Sequence, residues 1–302
     1  MNAIANLPVK TEDVNLAEKI FGKDLATLKG KTTKTKPLPK MQDTIEIPPE
    51  IGTSRDTWEL YIDVMFVNKI PFLTTVTGAL YYRTAIPMRN QKADELFATL
   101  DQVFRIYNGC GFTISDVHAD NQFKPLLEPL DDELGCTMHF CPAGGHVPQS
   151  ERNNRFLKDR TRCGYHRLPF KALPRKVVKK LVMEMTRKTN YFPNRHGISK
   201  YFSSRQLLLR EPLDYETDCK YYFGQYVQAH DDETNPRNSQ QSRTLDALYI
   251  RAVDRGHEVY NISTNEIITR VKLTPLPIPK HIIDTVNDIA ARQHQPGLKI
   301  QA

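Results

Sequence analysis

The sequence is poor in cysteine and has no long apolar run. Five cysteines in 302 residues are an odd number without the spacing of a disulfide framework, which argues against a small disulfide-stapled secreted module. No apolar stretch approaches the roughly 20 residues of a membrane-spanning helix, and the N-terminus lacks the apolar core of a signal peptide. We therefore expect a soluble protein of a reducing, intracellular compartment with no membrane contact.

Acidic residues are in the minority. Asp and Glu total 35 against 42 Lys and Arg, so the formal net charge is +7 and the pI is about 9.0. This balance suits a polyanionic partner, although net charge alone is equally compatible with a basic protein that has no such partner. Lysines are dense in "KGKTTKTKPLPK", residues 29–40, which predicts an extended basic linker.

The order of apolar patterns predicts the fold. Three β-branched and aromatic runs, "WELYIDVMFV", "PFLTTVT" and "ALYYRTAIPM", read as consecutive antiparallel strands, and a helix-spaced segment follows at residues 96–107. Next come the strand "FTISDVHAD", a short helix made irregular by Pro125 and Pro129, the strand "TMHFCP", and helices opening near Ser150 and at Pro174. This is the order of the ribonuclease-H-like α/β fold, a mixed sheet flanked by helices.

The remainder of the chain completes the predicted domain organisation. Beyond about residue 220, short strands separated by polar turns predict a small C-terminal all-β module. The predicted boundaries are a basic N-terminal helix and linker at 1–56, a ribonuclease-H-like core at 57–200, the small β module at 201–275, and a C-terminal helix and tail at 276–302.

Three acidic residues fall where this fold would bring them together. Asp63 lies inside the first strand, Asp120 ends the fourth strand, and Glu151 opens the helix after the fifth. Because the first and fourth strands are neighbours in this fold, we expect the three carboxylates to converge and to hold two Mg²⁺ or Mn²⁺ ions, which prefer oxygen ligands. Asp116 has the same strand parity as Asp120, so alternation leaves it open as a rival, and a single Asp at a strand end is more often a turn former.

Basic side chains follow Glu151 along its helix. Asn154, Arg155 and Lys158 stand three, four and seven positions after Glu151 and so share its face, a pattern that fits phosphate bound beside a metal. A solvated charged surface is the alternative interpretation. The predicted nucleic-acid-binding residues are Asn154, Arg155, Lys158, Arg162, Arg175, Lys176, Lys179 and Lys180.

At these residues the chain resembles the integrase of copia-type long-terminal-repeat retrotransposons, part of a Gag-Pol polyprotein. "LYIDVMFVNKIPFLTTVT" is similar to the first catalytic strand of the family, "HADNQF" to its "H-[ST]-D-N-G-G-E-F" element, and "HVPQSERNNRFLKDR" to its "P-Q-x-N-G-x-x-E-R-x-N-R-x-L" element. The resemblance covers roughly residues 50–275 and favours Asp120 over Asp116. It implies a DNA integrase acting in the nucleus, with two Mg²⁺ ions held by Asp63, Asp120 and Glu151, 3′-processing and strand transfer of element DNA, and homo-oligomerisation.

Several departures from the family pattern keep other functions open. The Gly-Gly of the second element is missing, and Gln149-Ser150 replaces the Asn-Gly before the glutamate. The alternatives are a catalytically degenerate or domesticated DNA-binding descendant and a hydrolytic nuclease with the same triad.

The zinc module of retroviral-type integrases is also missing. Such integrases begin with a His-His-Cys-Cys module, whereas residues 1–109 contain neither His nor Cys. Four later residues could be read as a substitute site, but their spacing matches no standard module, so we interpret them as core packing and predict no structural zinc. They are Cys136, His139, Cys141 and His146.

Overall fold

The structure is a computed structural model that describes residues 9–31, 44–48, 57–141, 147–231 and 241–301. Most of the predicted basic linker and of the loop "DDETNPRNSQQSR" lies outside these residues. Two compact units share the chain: a core unit of Met41–Tyr215 with Asn287–Ala302, and a β unit of Met1–Lys40 with Glu216–Val286. The finer domain boundaries given above remain a prediction. No helix in the described part of the chain is long and apolar enough to cross a membrane.

The core unit is built on one mixed sheet. Its strands are β1 (Thr57–Val67), β2 (Ile70–Thr77), β3 (Arg83–Pro87), β4 (Thr113–Ala119) and β5 (Thr137–Phe140), in the order β3-β2-β1-β4-β5. The first three strands are antiparallel, whereas β4 runs parallel to both β1 and β5. The predicted ribonuclease-H-like fold class, a mixed sheet flanked by helices, is confirmed.

Helices cover the sheet on both faces. The helices of the core unit are α3 (Ala93–Gly109), α4 (Leu127–Leu134), α5 (Pro148–His166), α6 (Arg175–Thr189) and α7 (Ser204–Leu209), and a 3₁₀ helix at Asn121–Leu126 precedes α4. The predicted irregularity at Pro125 is this 3₁₀ segment. On one face, Leu60 and Ile62 of β1 pack with Leu100 and Phe104 of α3 in the main apolar core, because alternate strand residues point to the same side. On the other face, α5 packs against β1 and β2, and α6 against β3.

The C-terminal segment completes the core sheet. A short strand, β11 (Ile300–Gln301), pairs antiparallel with Phe66 and Val67 at the end of β1. Asn68, which is 5% exposed, fixes the approach to this strand. Its backbone N–H donates to the Lys299 carbonyl at 2.7 Å, and its side-chain Oδ1 accepts from the Lys299 N–H at 2.7 Å. A two-residue strand in the tail was not predicted.

The β unit contains the second sheet and the N-terminal helices. Its strands are β6 (Tyr226–His230), β7 (Thr244–Val253), β8 (Gly256–Asn261), β9 (Glu266–Arg270) and β10 (Leu273–Pro275), all antiparallel in the order β10-β6-β7-β8-β9. The predicted all-β module is therefore present. The helix α1 (Thr11–Phe21) buries none of its residues, and α2 (Leu25–Lys31), which was not predicted, buries Leu28. The remaining helix is α8 (Lys280–Arg292).

Candidate active site

The strand register brings Asp63 and Asp120 to one face of the sheet. The last paired residues of β1 and β4 are Tyr61 and His118, and Asp63 and Asp120 each stand two positions further along. Because side chains alternate along a strand, Asp63 points to the same side as Tyr61. Asp120 directly follows β4 with an extended backbone, φ −78° and ψ 163°, before the 3₁₀ helix begins. The predicted neighbourhood of the first and fourth strands is therefore observed.

Both carboxylate oxygens of Asp63 accept hydrogen bonds. The backbone N–H of Val64 donates to Oδ1 at 2.7 Å, and the side-chain Nδ2 of Asn154 donates to Oδ2 at 2.6 Å. A longer contact of 3.4 Å joins Nε2 of Gln122, in the 3₁₀ helix, to Oδ1. Each carboxylate oxygen carries two lone pairs, so Oδ2, which has one donor, keeps acceptor capacity.

Asn154 is held in turn by the second strand. The Thr74 hydroxyl donates to the Asn154 Oδ1 at 2.6 Å, and Thr74 stands directly opposite Asp63 in the β1–β2 register. This bond fixes the orientation of the amide, because its oxygen faces Thr74 and its nitrogen must then face Asp63. Asn154 is only 6% exposed, which argues against the predicted contact between its side chain and phosphate. It belongs instead to the support of Asp63.

Burial and neighbouring charges raise the pKa of Asp63 to about 6. Burial of the carboxyl is the largest cause, and the negative charges of Asp120 and Glu151 add to it. The Val64 N–H and the positive charge of Lys158 act in the opposite direction. The three predicted acids therefore interact electrostatically. Glu151, in the first turn of α5, keeps an exposed side chain.

The donor set of the three acids suits a hard divalent cation. In the described residues, no three His, Cys, Asp or Glu side chains are close enough to hold a metal ion in their present conformations. Repulsion among the three carboxylates helps to raise the pKa of Asp63, and a cation bound between them would relieve that repulsion. Oxygen-only ligands are those that Mg²⁺ and Mn²⁺ prefer, so Asp63, Asp120 and Glu151 fit such an ion chemically.

Asp116, the rival of Asp120, has other partners. Its Oδ1 lies 2.7 Å from Nε2 of His139 on β5, and its Oδ2 accepts a 2.6 Å hydrogen bond from the Ser115 hydroxyl. These two bonds hold the pKa of Asp116 below its usual value, the Ser115 bond having the larger effect. Asp116 is not among the groups that shift the pKa of Asp63.

The interpretation of His139 as a core residue is wrong. Its side chain is 47% exposed and forms the outer member of a ladder in which His118 stacks between Tyr61 and His139, at centroid distances of 4.7 and 5.0 Å. His139 points outward although its strand is apolar, because its polar partner Asp116 and the stacked ring of His118 lie on the exposed face of β4 and β5. Cys136 is buried as expected, and His146 lies outside the described residues.

The predicted basic residues fall on two helices. On α5, Arg155 and Arg162 are exposed, and Arg162 pairs with Asp159 at 2.7 Å. Lys158 is half-buried, and its positive charge lowers the pKa of Asp63.

On α6, the first-turn residues Arg175 and Lys176 are exposed, whereas Lys179 and Lys180 are half-buried. Partial burial and the neighbouring Arg175 and Arg89 lower the pKa of Lys179. Contact of these residues with DNA remains a prediction.

Two supporting residues had no usable signal in the sequence. Thr74 lies in "PFLTTVT", a strand whose residues are all buried, so its hydroxyl could not be distinguished from that of Thr75. Gln122 lies inside the motif that identified Asp120, yet its amide is directed toward Asp63 only because the 3₁₀ helix begins there.

Comparison with known proteins gives a structural likeness and no sequence match. No family model matches the chain, and no curated protein matches it. A crystal structure of the catalytic core domain of BIV integrase is similar over 50% of this chain and 93% of that domain, with 20% sequence identity and a TM-score of 0.38. The site is therefore described by the geometry of this chain alone. One acid lies on β1, the second directly follows the parallel neighbouring strand β4, and the third lies in the first turn of the flanking helix α5.

Proposed function

We propose that this protein is a metal-dependent enzyme that transfers phosphodiester bonds in DNA. The observation that carries the proposal is the electrostatic coupling of Asp63 with Asp120 and Glu151, three acids supplied by β1, the end of β4 and the start of α5. A carboxyl with a strongly perturbed pKa beside other acids is a candidate functional group, and phosphoryl-transfer sites use such sets of carboxylates to bind cations.

In this proposal each residue has a distinct task. Asp63, Asp120 and Glu151 supply the oxygen ligands of two Mg²⁺ or Mn²⁺ ions, and Asn154 keeps the Asp63 carboxylate at a fixed angle. The ions, when bound, activate the attacking hydroxyl and stabilise the leaving oxygen in an in-line displacement. The positive charge of Lys158 acts on the Asp63 carboxyl, so Lys158 is suited to hold a phosphate beside the acids.

The finer proposal is a retrotransposon integrase of the copia type. It rests on the motifs around Asp63, Asp120 and Glu151 and specifies 3′-processing of element ends followed by strand transfer into a target duplex. Action in the nucleus and assembly of several copies follow from that function. A hydrolytic nuclease would use the same residues and water as its nucleophile, and would lack the strand-transfer step, in which a DNA 3′-hydroxyl attacks.

A second candidate is a descendant that binds DNA without catalysis. It is favoured by the absence, among the described side chains, of any three potential ligands already close enough for a metal. It also fits the two short hydrogen bonds that occupy Asp63 in the protein alone.

The test replaces one ligand and one matched acid. Glu151→Gln removes a charge from the proposed metal site while keeping size and helical propensity, and Asp116→Asn removes a charge from the acid that is bonded to His139. Joining of a labelled terminal-repeat oligonucleotide to plasmid should fall about 100-fold or more in Glu151→Gln, because loss of several kcal/mol of transition-state stabilisation has that effect. Asp116→Asn should stay within a few-fold of the wild type.

DNA binding, measured in parallel, separates the candidates. Glu151→Gln should bind duplex DNA as well as the wild type or slightly better, since it carries one negative charge fewer. If the wild type binds DNA but neither joins nor cuts it with Mg²⁺ or Mn²⁺, the catalytic proposal fails and the DNA-binding descendant replaces it. Cutting without joining would identify the hydrolytic nuclease.

A further inference from the structure

The connection between α6 and α7 is free of acidic residues. From Met185 to Arg210 the sequence contains no Asp or Glu. The cations in this stretch are Arg187, Lys188, Arg195, Lys200, Arg205 and Arg210. In a chain with 35 acids, such a segment is a local concentration of positive charge.

The ends of the connecting loop, residues 191–203, are joined to each other and to the sheet. The Arg205 N–H donates to the Asn190 carbonyl at 3.0 Å, which closes the loop at its base. Asn190 also exchanges two hydrogen bonds with the backbone of Arg83 on β3, at 2.9 and 2.8 Å. Farther along, the Ile198 N–H donates to the Ala79 carbonyl at 3.0 Å. A loop held at base and middle loses less conformational entropy when it binds a ligand.

Four aromatic residues of this loop divide into two inward and two outward rings. Tyr191 is 8% exposed, and its ring centroid lies 5.2 Å from the guanidinium of Arg187 and 5.8 Å from that of Arg205. Phe202 packs against the main core. By contrast, Phe192 is 71% exposed and Tyr201 is 88% exposed. The outward rings stand on the two arms of the closed loop, close to its base, and no packing requirement accounts for them.

The cations of the same stretch divide in the same way. Arg187 and Lys188 both pair with the buried Glu184, and Arg205 pairs with Glu211. Arg195 and Lys200 are exposed and form no ion pair within the part of the chain that the structure describes. The loop, which is hydrogen-bonded at its base and middle, therefore exposes two aromatic rings and two cations without an acidic partner among the described residues.

We propose that this loop binds a nucleic-acid strand with unpaired bases, with Phe192 and Tyr201 stacking on bases and Arg195 and Lys200 contacting phosphates. Aromatic rings beside cations, without acids, are the combination that single-strand binding sites use, because every base has a face to stack and every nucleotide a phosphate. The choice of nucleic acid as the ligand rests on the proposed DNA-directed function. The loop is attached to the sheet through Arg83 of β3 and through Ala79, which follows β2. The three acids are supplied by other segments, β1, the end of β4 and the start of α5.

The test uses the full chain and a labelled 20-nucleotide oligo-dT, with binding followed by fluorescence anisotropy. Tyr201→Ala should weaken binding about 5- to 100-fold, the effect of losing one stacked base, whereas Tyr201→Phe should bind as the wild type. The matched control is Tyr215→Ala, because Tyr215 is 71% exposed but stands between Asp214 and Glu216. That control should not change the affinity.

The charge contribution has its own measurement. Lys200→Gln and Arg195→Gln should each lower the slope of log affinity against log salt by about 0.7, the value for one single-strand phosphate contact. All of these side chains are exposed, so the variants should have the same melting temperature as the wild type.

Two results would overturn the inference. One is an affinity for oligo-dT that is equal in Tyr201→Ala and Tyr215→Ala. The other is loss of binding to phosphatidylserine vesicles in Tyr201→Ala with oligo-dT binding intact, which would make the loop a membrane contact. If oligo-dT binding depends on Tyr201 while the wild type never joins DNA, the proposed catalysis fails and the loop assignment stands.

Discussion

At the scale of single residues, Asp63 depends on a chain of buried polar groups. Its carboxylate accepts from Asn154, and Asn154 accepts from Thr74, which is 1% exposed. These bonds hold Oδ2 of Asp63, and the negative charges of Asp120 and Glu151 act on the same carboxylate. If Asp63 binds a cation, the hydroxyl of Thr74 orients the Asp63 carboxylate through Asn154, although Thr74 itself contacts neither the metal nor DNA.

Removing that hydroxyl should therefore weaken metal binding more than it weakens the fold. We expect Thr74→Val to raise the Mn²⁺ concentration for half-saturation by about tenfold, the lower end of the effect of losing an outer-shell partner. Mn²⁺ binding to the protein without DNA, followed by electron paramagnetic resonance, measures this directly. Thr74→Ser keeps the hydroxyl and should restore the wild-type value.

Thr75→Val is the matched control for this prediction. Thr75 is the next residue on β2 and is equally buried, and its hydroxyl is bonded at 2.7 Å to that of Thr84. Because successive strand residues point to opposite faces, it lies on the other face of the sheet from Thr74. Both valine variants should lower the free energy of unfolding by about 1 kcal/mol, the usual value of one buried hydrogen bond. Equal Mn²⁺ binding by the two would remove Thr74 from the support of the site.

Residue types identified the acids but not what holds them. Asp63 was conspicuous because a carboxylate inside an apolar strand is costly, and Asp120 because it ended such a strand. Asn154 was noticed for its position on the Glu151 face but was expected to meet phosphate. Its burial could not be predicted, because it depends on how closely α5 approaches β1 and β2, a distance set by packing rather than by helical spacing.

At the scale of elements, the β1–β2 hairpin joins the site to the end of the chain. Asn68 and Lys69 form its turn with positive φ values of 49° and 60°, which Asn tolerates better than Lys. Asn68 also carries the bonds to Lys299 described above. The turn therefore has two roles, reversing the strand and receiving the tail.

Substitution of the turn by glycine separates these roles. Asn68→Gly keeps the backbone conformation accessible and removes the side-chain hydrogen bonds to Lys299, Gln295 and Pro296, so we expect the free energy of unfolding in urea to fall by about 1–2 kcal/mol. Lys69→Gly, the control, relieves a strained left-handed residue and should be neutral or stabilising by up to about 1 kcal/mol. A neutral Asn68→Gly would show that the tail contributes little to the core sheet.

Elements with a strong local pattern were predicted, and those without one were not. The strands β1, β2 and β4 and the helices α3, α5 and α6 lie where apolar alternation or helical spacing placed them. The seven-residue α2 has too few turns to show a period, and β11 has two residues whose strand identity comes from β1. The N-terminal helix α1 was predicted, yet its apolar side chains Val14, Leu16 and Ile20 are exposed.

At the scale of the whole molecule, the positive charge predicts salt-sensitive binding to duplex DNA. If four of the cations on α5 and α6 meet phosphate, affinity should fall about 100-fold between about 50 mM and 200 mM salt. Arg155→Gln should reduce the logarithmic slope by about 0.9. Arg105→Gln is the control, because Arg105 is 77% exposed on α3 and paired with Asp101. A flat salt response would exclude this mode of binding.

The pairing of β11 with β1 has a consequence for how the protein is made. Phe66 and Gln301 are partners in one sheet although 235 positions separate them. During synthesis, at about 5–20 residues per second, β1 leaves the ribosome before β11, and all of the strands β6 to β10 are translated between the two. We therefore expect the backbone groups of Phe66 and Val67 that pair with β11 to stay open until Ile300 and Gln301 have been translated, which makes the nascent chain, rather than the folded protein, the form most exposed to chaperones and to mispairing.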